Sequence, residues 1–97
     1  MEQFPSLTPL EVTVIRAEHS TGIVLDDQFK RHNRNSTTQI KYTIFENMKM
    51  AVDYIEKMKV ANPDVEFLIF DHQEKLLTIT YPDKSKLKYR KLKCNSI

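Results

Sequence analysis

The stretch Asn47-Met48-Lys49-Met50-Ala51-Val52-Asp53-Tyr54-Ile55-Glu56-Lys57-Met58-Lys59 decides how the rest of this chain is read. Met48, Ala51, Val52, Ile55 and Met58 recur at helical spacing and form one apolar stripe. Lys49, Asp53, Glu56 and Lys57 take the opposite face, where Lys49–Asp53 and Asp53–Lys57 stand one turn apart and pair weakly. Asn47 is the expected N-cap, with Thr43 and its capping-box Glu46 as the rival start one turn earlier. Pro63 pushes Asn62 toward extended geometry, so the helix ends near Ala61–Asn62. An isolated helix of about thirteen residues is marginal in water and needs a surface to lie on. The remaining chain should therefore supply a sheet.

Candidate strands stand on both sides of this helix. Leu10–Arg16 is rich in β-branched residues and reads as a strand. Thr8-Pro9-Leu10-Glu11 also carries an N-cap, a first-turn proline and a capping-box glutamate, so a helix is the standing alternative there. Ser20-Thr21-Gly22 marks a turn, with the only glycine of the chain where a positive φ is needed, and Gly22–Leu25 would return as a second strand. Lys30–Thr38 is polar, basic and aperiodic, and reads as a long loop. Gln39–Phe45 alternates as a third strand, with Ile40, Tyr42 and Ile44 on one face.

After the helix, Val65–Asp71 and Leu76–Tyr81 are the clearest strands, joined by a polar hairpin loop from Asp71 to Lys75. Pro82-Asp83-Lys84-Ser85 signals a further turn into Lys86–Arg90, which alternates charged with apolar and reads as an edge strand. The expected fold is α+β: an antiparallel sheet of five to six strands, ordered ββ(β)αβββ, with one amphipathic helix (about residues 47–60) on one face. Phe67, Ile69, Leu77 and Ile79 are expected under the helix, while Leu68 and Phe70 point the other way. Either Val65–Asp71 is central and covered on both sides, or its second face meets a partner.

Ninety-seven residues suit a single domain, and 40% apolar with 29% charged residues are globular values. No run approaches the ~18 apolar residues of a membrane span. The opening Met1-Glu2-Gln3-Phe4-Pro5-Ser6 lacks the basic-then-apolar order of a signal peptide, and Cys94 has no cysteine to pair with; a cytoplasmic home is expected. The single glycine argues against glycine-rich phosphate loops, and no cofactor is expected. The net charge of +2 is blocked along the chain: −4 over residues 1–29, +4 over 30–45, −4 over 46–83 and +6 over 84–97.

Two basic clusters follow from those blocks. Lys30, Arg31 and Arg34 lie in the asparagine-rich loop; Lys84, Lys86, Lys88, Arg90, Lys91 and Lys93 line the C-terminal strand. Together they would suit phosphates, and Tyr81 or Tyr89 would stack a base. Lysines on an edge strand also guard against edge-to-edge aggregation, and a basic loop is often simply solvated. His19, His32, His72 and Cys94 show no metal-ligand spacing, Asp26-Asp27 reads as a turn, and no catalytic constellation emerges. Met50 falls off the helix stripe and, with Leu68 and Phe70, is a candidate protein contact. The sequence thus points to a small non-enzymatic binding or regulatory module acting through protein–protein contacts, with an unidentified protein or a second copy (a homodimer) as partner. Inhibitors and immunity-type proteins of bacteria or phage have this size and plainness. Nucleic-acid binding through the two basic clusters is the alternative.

Overall fold

The computed structural model describes residues 3–33, 35, 36 and 38–82. Within them the chain runs β1 (Val12–Glu18), β2 (Val24–Leu25), β3 (Thr43–Phe45), α1 (Met48–Ala61), β4 (Val65–Phe70) and β5 (Leu76–Thr80). All strand pairs are antiparallel, in the order β2-β1-β4-β5, with β3 also on β1. The fold is α+β. β2 and β3 share one edge of β1: β3 takes Val12–Val14 and β2 takes Arg16–Ala17. The expected Lys86–Arg90 strand lies outside the described residues.

The β-branched run wins over the helix-start signal at the N-terminus. β1 begins at Val12, and the capping box survives as an isolated turn, with the Thr8 amide donating to Glu11 Oε1 at 2.8 Å and the Glu11 amide to the Thr8 carbonyl at 3.0 Å. Gly22 has φ +77° and closes the β1–β2 turn, as its position implies. The third strand is shorter than expected, because only Thr43–Phe45 pair with β1. Asn47 caps α1 by accepting the Met50 amide at 3.0 Å. Its rival Thr43 is held in β3. At the far end Asn62 folds back, its amide and its side chain both donating to the Met58 carbonyl at 2.9 Å.

The core lies between α1 and the sheet. Alternation places Val12 and Val14 of β1 beside Val65, Phe67 and Ile69 of β4, and Ala51 and Ile55 of the helix close over them with Leu25. Two expectations need correction. The helix stripe on the core is Ala51 and Ile55, both buried, flanked by partly buried Tyr54 and Met58; Met48 and Val52 are exposed, because the helix is rolled toward Tyr54, whose ring packs on Phe45 and Phe67. Leu77 and Ile79 are not under the helix either. β5 pairs Thr78 with Ile69 and Thr80 with Phe67, which puts Ile79 opposite Leu68 on the other face, while Leu77 is exposed beside a bulge at Ile69/Phe70.

Candidate protein-contact face

The sheet face turned away from the helix is built by the same alternation. Cross-strand pairing lines up Ile44, Thr13, Phe70 and Leu76 as one row across β3, β1, β4 and β5. Ile15, Leu68 and Ile79 make the next row, and Ala17 with Glu66 the third. Thr13 and Ala17 are buried, Ile15, Leu68, Phe70 and Ile79 are half-buried, and the flanking Ile44 and Leu76 are 47% and 41% exposed. The N-terminal stretch covers one corner. Phe4 stands edge-on to Tyr42 at 5.4 Å and to Phe70 at 6.3 Å between ring centroids. At the opposite corner His19 Nδ1 lies 2.9 Å from Glu66 Oε1, with the Tyr81 ring edge-on to the imidazole at 5.6 Å. β4 is therefore central, helix-covered on one face and partly covered on the other.

The three candidate contact residues do not converge. Leu68 and Phe70 share this face, whereas Met50 is exposed on the flank of α1, across the sheet from them. The basic loop is more tied down than its composition suggests. Arg31 grips Glu18 with two hydrogen bonds, Nε to Oε2 at 3.1 Å and Nη2 to Oε1 at 3.0 Å, and its residue bridges Leu25. That pairing, joined by a bond from the Thr21 hydroxyl, holds the Glu18 carboxyl below its ordinary value and raises Arg31 above its own. Lys30 is exposed. Arg34, Lys84, Lys86, Lys88, Arg90, Lys91 and Lys93 lie outside the described residues.

Sequence reasoning missed Arg16. It sits on the helix side with Val12 and Val14, fully buried, and all five of its donor hydrogens have acceptors. Nε donates to the Asp26 carbonyl at 2.9 Å; Nη1 donates to Thr43 Oγ1 at 2.6 Å and the Tyr54 hydroxyl at 3.3 Å; Nη2 donates to the carbonyls of Lys41 at 3.0 Å and Ile40 at 3.5 Å. The signal was present in Val12-Thr13-Val14-Ile15-Arg16, whose period of two places an arginine on an otherwise apolar face. Asp26-Asp27 is a turn, as expected. Asp26 Oδ1 accepts the amides of Gln28 and Lys30 at 2.8 and 2.9 Å, and Oδ2 accepts Gln39 Nε2 at 2.8 Å. Burial pushes this carboxyl up, but the bonds from Lys30, Gln39 and Gln28 outweigh it and hold it below the ordinary value.

Among the described residues no three histidine, cysteine or acidic side chains cluster as a metal site, and no helix is long and apolar enough to cross a membrane. No protein-family model matches the chain, and neither does any curated protein or solved structure.

Proposed function

We propose that this chain is a non-enzymatic, cytoplasmic binding module that acts through protein–protein contacts made by the sheet face opposite the helix. One observation carries this reading: the rows Ile44–Thr13–Phe70–Leu76 and Ile15–Leu68–Ile79, apolar but for Thr13, lie side by side on one face, and the first ends in exposed Ile44 and Leu76. Contiguous apolar surface on a small domain marks a contact site more often than scattered single residues do. A second copy of the chain is the simplest occupant, since a two-fold axis would pack like rows on like rows.

The test is the solution mass at micromolar concentration, by light scattering behind a sizing column, with and without a short DNA duplex. The reading expects twice the chain mass, indifferent to DNA, and a return to monomer in Ile44→Lys, whose exposed site on this face tolerates a charge. A monomer that shifts with DNA, and shifts back at high salt, would replace this reading with nucleic-acid binding by the basic clusters. The blocked charge of residues 84–97 favours that second reading, whereas the Arg31–Glu18 pair takes one cation away from it.

A further inference from the structure

Arg16 is the largest fully buried side chain among the described residues, and each of its partners is a neutral dipole. Among the described residues no carboxylate stands within ion-pair distance of it. The guanidinium reaches two stretches that lie apart in sequence, at Asp26 and at Ile40–Thr43. Those stretches are also joined directly, through Gln39 Nε2 on Asp26 Oδ2 at 2.8 Å. Gln39 further donates to the Arg31 carbonyl at 2.9 Å and accepts the Asn33 amide at 2.7 Å.

A second, independent feature lies in the same place. Phe29 has φ +63°, a left-handed conformation that a bulky side chain rarely adopts. Its ring stands 5.9 Å from the guanidinium carbon and edge-on to Phe67 at 6.1 Å. The strained residue is thus the one that shields the cation with an aromatic face.

We propose that Asp26–Lys30 and Gln39–Thr43 form a two-footed strap, clamped by Arg16, that opens as one cooperative unit while β1, β4 and α1 stay folded. In the closed form carbonyl and hydroxyl dipoles replace the hydration of a buried cation. On opening, water takes their place, and the strain at Phe29 is released. Both effects favour the open form, so the strap opens at a free energy below that of global unfolding. Apolar packing such as Phe67 against Ile55 gains nothing comparable from water. Opening presents a planar guanidinium fork that the closed form conceals.

Native-state amide hydrogen exchange at increasing denaturant tests this. The reporters are the amides of Phe29 and Lys30, bonded to the Asp26 carbonyl and carboxylate, and those of Asn33 and Gln39, bonded to Gln39 Oε1 and Ser36 Oγ. All four should share one opening reaction, distinct from and more frequent than the one that exposes β4. Thr43→Val then removes an acceptor of Arg16 from the second foot without touching the first. It should speed exchange at Phe29 and Lys30 by the same factor as at Asn33 and Gln39, about tenfold or more, for the loss of one hydrogen bond to a charged group. Two outcomes overturn the proposal: exchange of all four amides only with β4, or a Thr43→Val effect at Asn33 and Gln39 that leaves Phe29 and Lys30 unchanged.

Discussion

On the helix side of the sheet Val14, Phe67 and Ile69 are at most 1% exposed, while on the other side the neighbouring residues Ile15, Leu68 and Phe70 are only half-buried. The same strands supply both sets, so β-propensity is not what separates them. What differs is the cover. An amphipathic helix lies across one face and brings Ala51, Tyr54, Ile55 and Met58, whereas over Phe70 on the other the ring contact is with Phe4. Apolar content along a strand thus measures how much surface needs covering, not how much is covered. Stability should reside on the helix side, and the other face is the candidate for association.

The largest expected effect tests that division directly. Phe67 is fully buried and its ring meets Phe29 and Tyr54, so Phe67→Ala should cost about 3–5 kcal/mol in urea unfolding. Phe70→Ala, two residues along on the half-buried face, should cost about 1–2 kcal/mol. Equal losses would show that both faces contribute alike to stability. Next in size is Arg16→Met, which keeps the bulk but removes the charged donor of five hydrogen bonds, leaving the Asp26 carbonyl with the Phe29 amide alone. A loss of about 3 kcal/mol is expected, because bonds to a charged group are the stronger ones and all five are lost together. A neutral or stabilising result would mean that the cation's desolvation outweighs its five bonds.

How much of this was legible in the sequence depended on whether the signal was local. The Asn47 cap, the Pro63 stop, the Asp71–Lys75 hairpin and the turn at Gly22 are fixed by residues close in sequence, and each was readable. The two apolar faces of β4 were readable too, from alternation alone. Three features were not, and each depends on partners far along the chain. The roll of the helix toward Tyr54 depends on Phe45 and Phe67. The shift of Ile79 to the second face follows from pairing register, with a bulge between Ile69 and Phe70. Arg16 looked like the polar end of a strand, because its acceptors come from residues 26, 40, 41, 43 and 54. Of the candidate site, Leu68 and Phe70 were found by alternation, whereas their neighbours Ile15, Ile44 and Leu76 needed the strand order.

Acid should act more gently, and on particular carboxylates. Asp26 is held below its ordinary value against its own burial by the bonds from Lys30, Gln39 and Gln28. Asp71 is lowered as well, chiefly by the Lys75 amide and also by the Gln73 amide, and Glu18 by Arg31. A carboxyl depressed in the folded state contributes stability that is fully present above its unfolded value and is lost as pH falls through the folded one. The contribution of these three carboxylates should therefore be level from neutral pH down to about 4, and decline below it as they take up protons. Asp26→Asn removes its share, so its curve should be flatter there than that of the parent. Identical slopes would mean that Asp26 is no more stabilised in the fold than in the open chain.

The smallest effect belongs to the hairpin on which the second face is built. Asp71 organises it, with Oδ1 accepting the amides of Gln73 and Lys75 at 2.8 and 2.9 Å and its own amide donating to the Lys75 carbonyl at 3.0 Å. That geometry forces Glu74 to φ +61°, where a side chain is crowded and glycine is not. Glu74→Gly relieves the crowding but adds freedom to the unfolded chain, and the two partly cancel. A net gain of about 0.5–1 kcal/mol is expected, read as a higher urea midpoint with an unchanged slope. The gain should leave the proposed association through the Ile15–Leu68–Ile79 face unaltered, because the register of β4 on β5 is set by the Asp71 bonds and the bulge beside them rather than by the Glu74 side chain. A loss of stability would place the Glu74 side chain among the contacts that hold β5 in register.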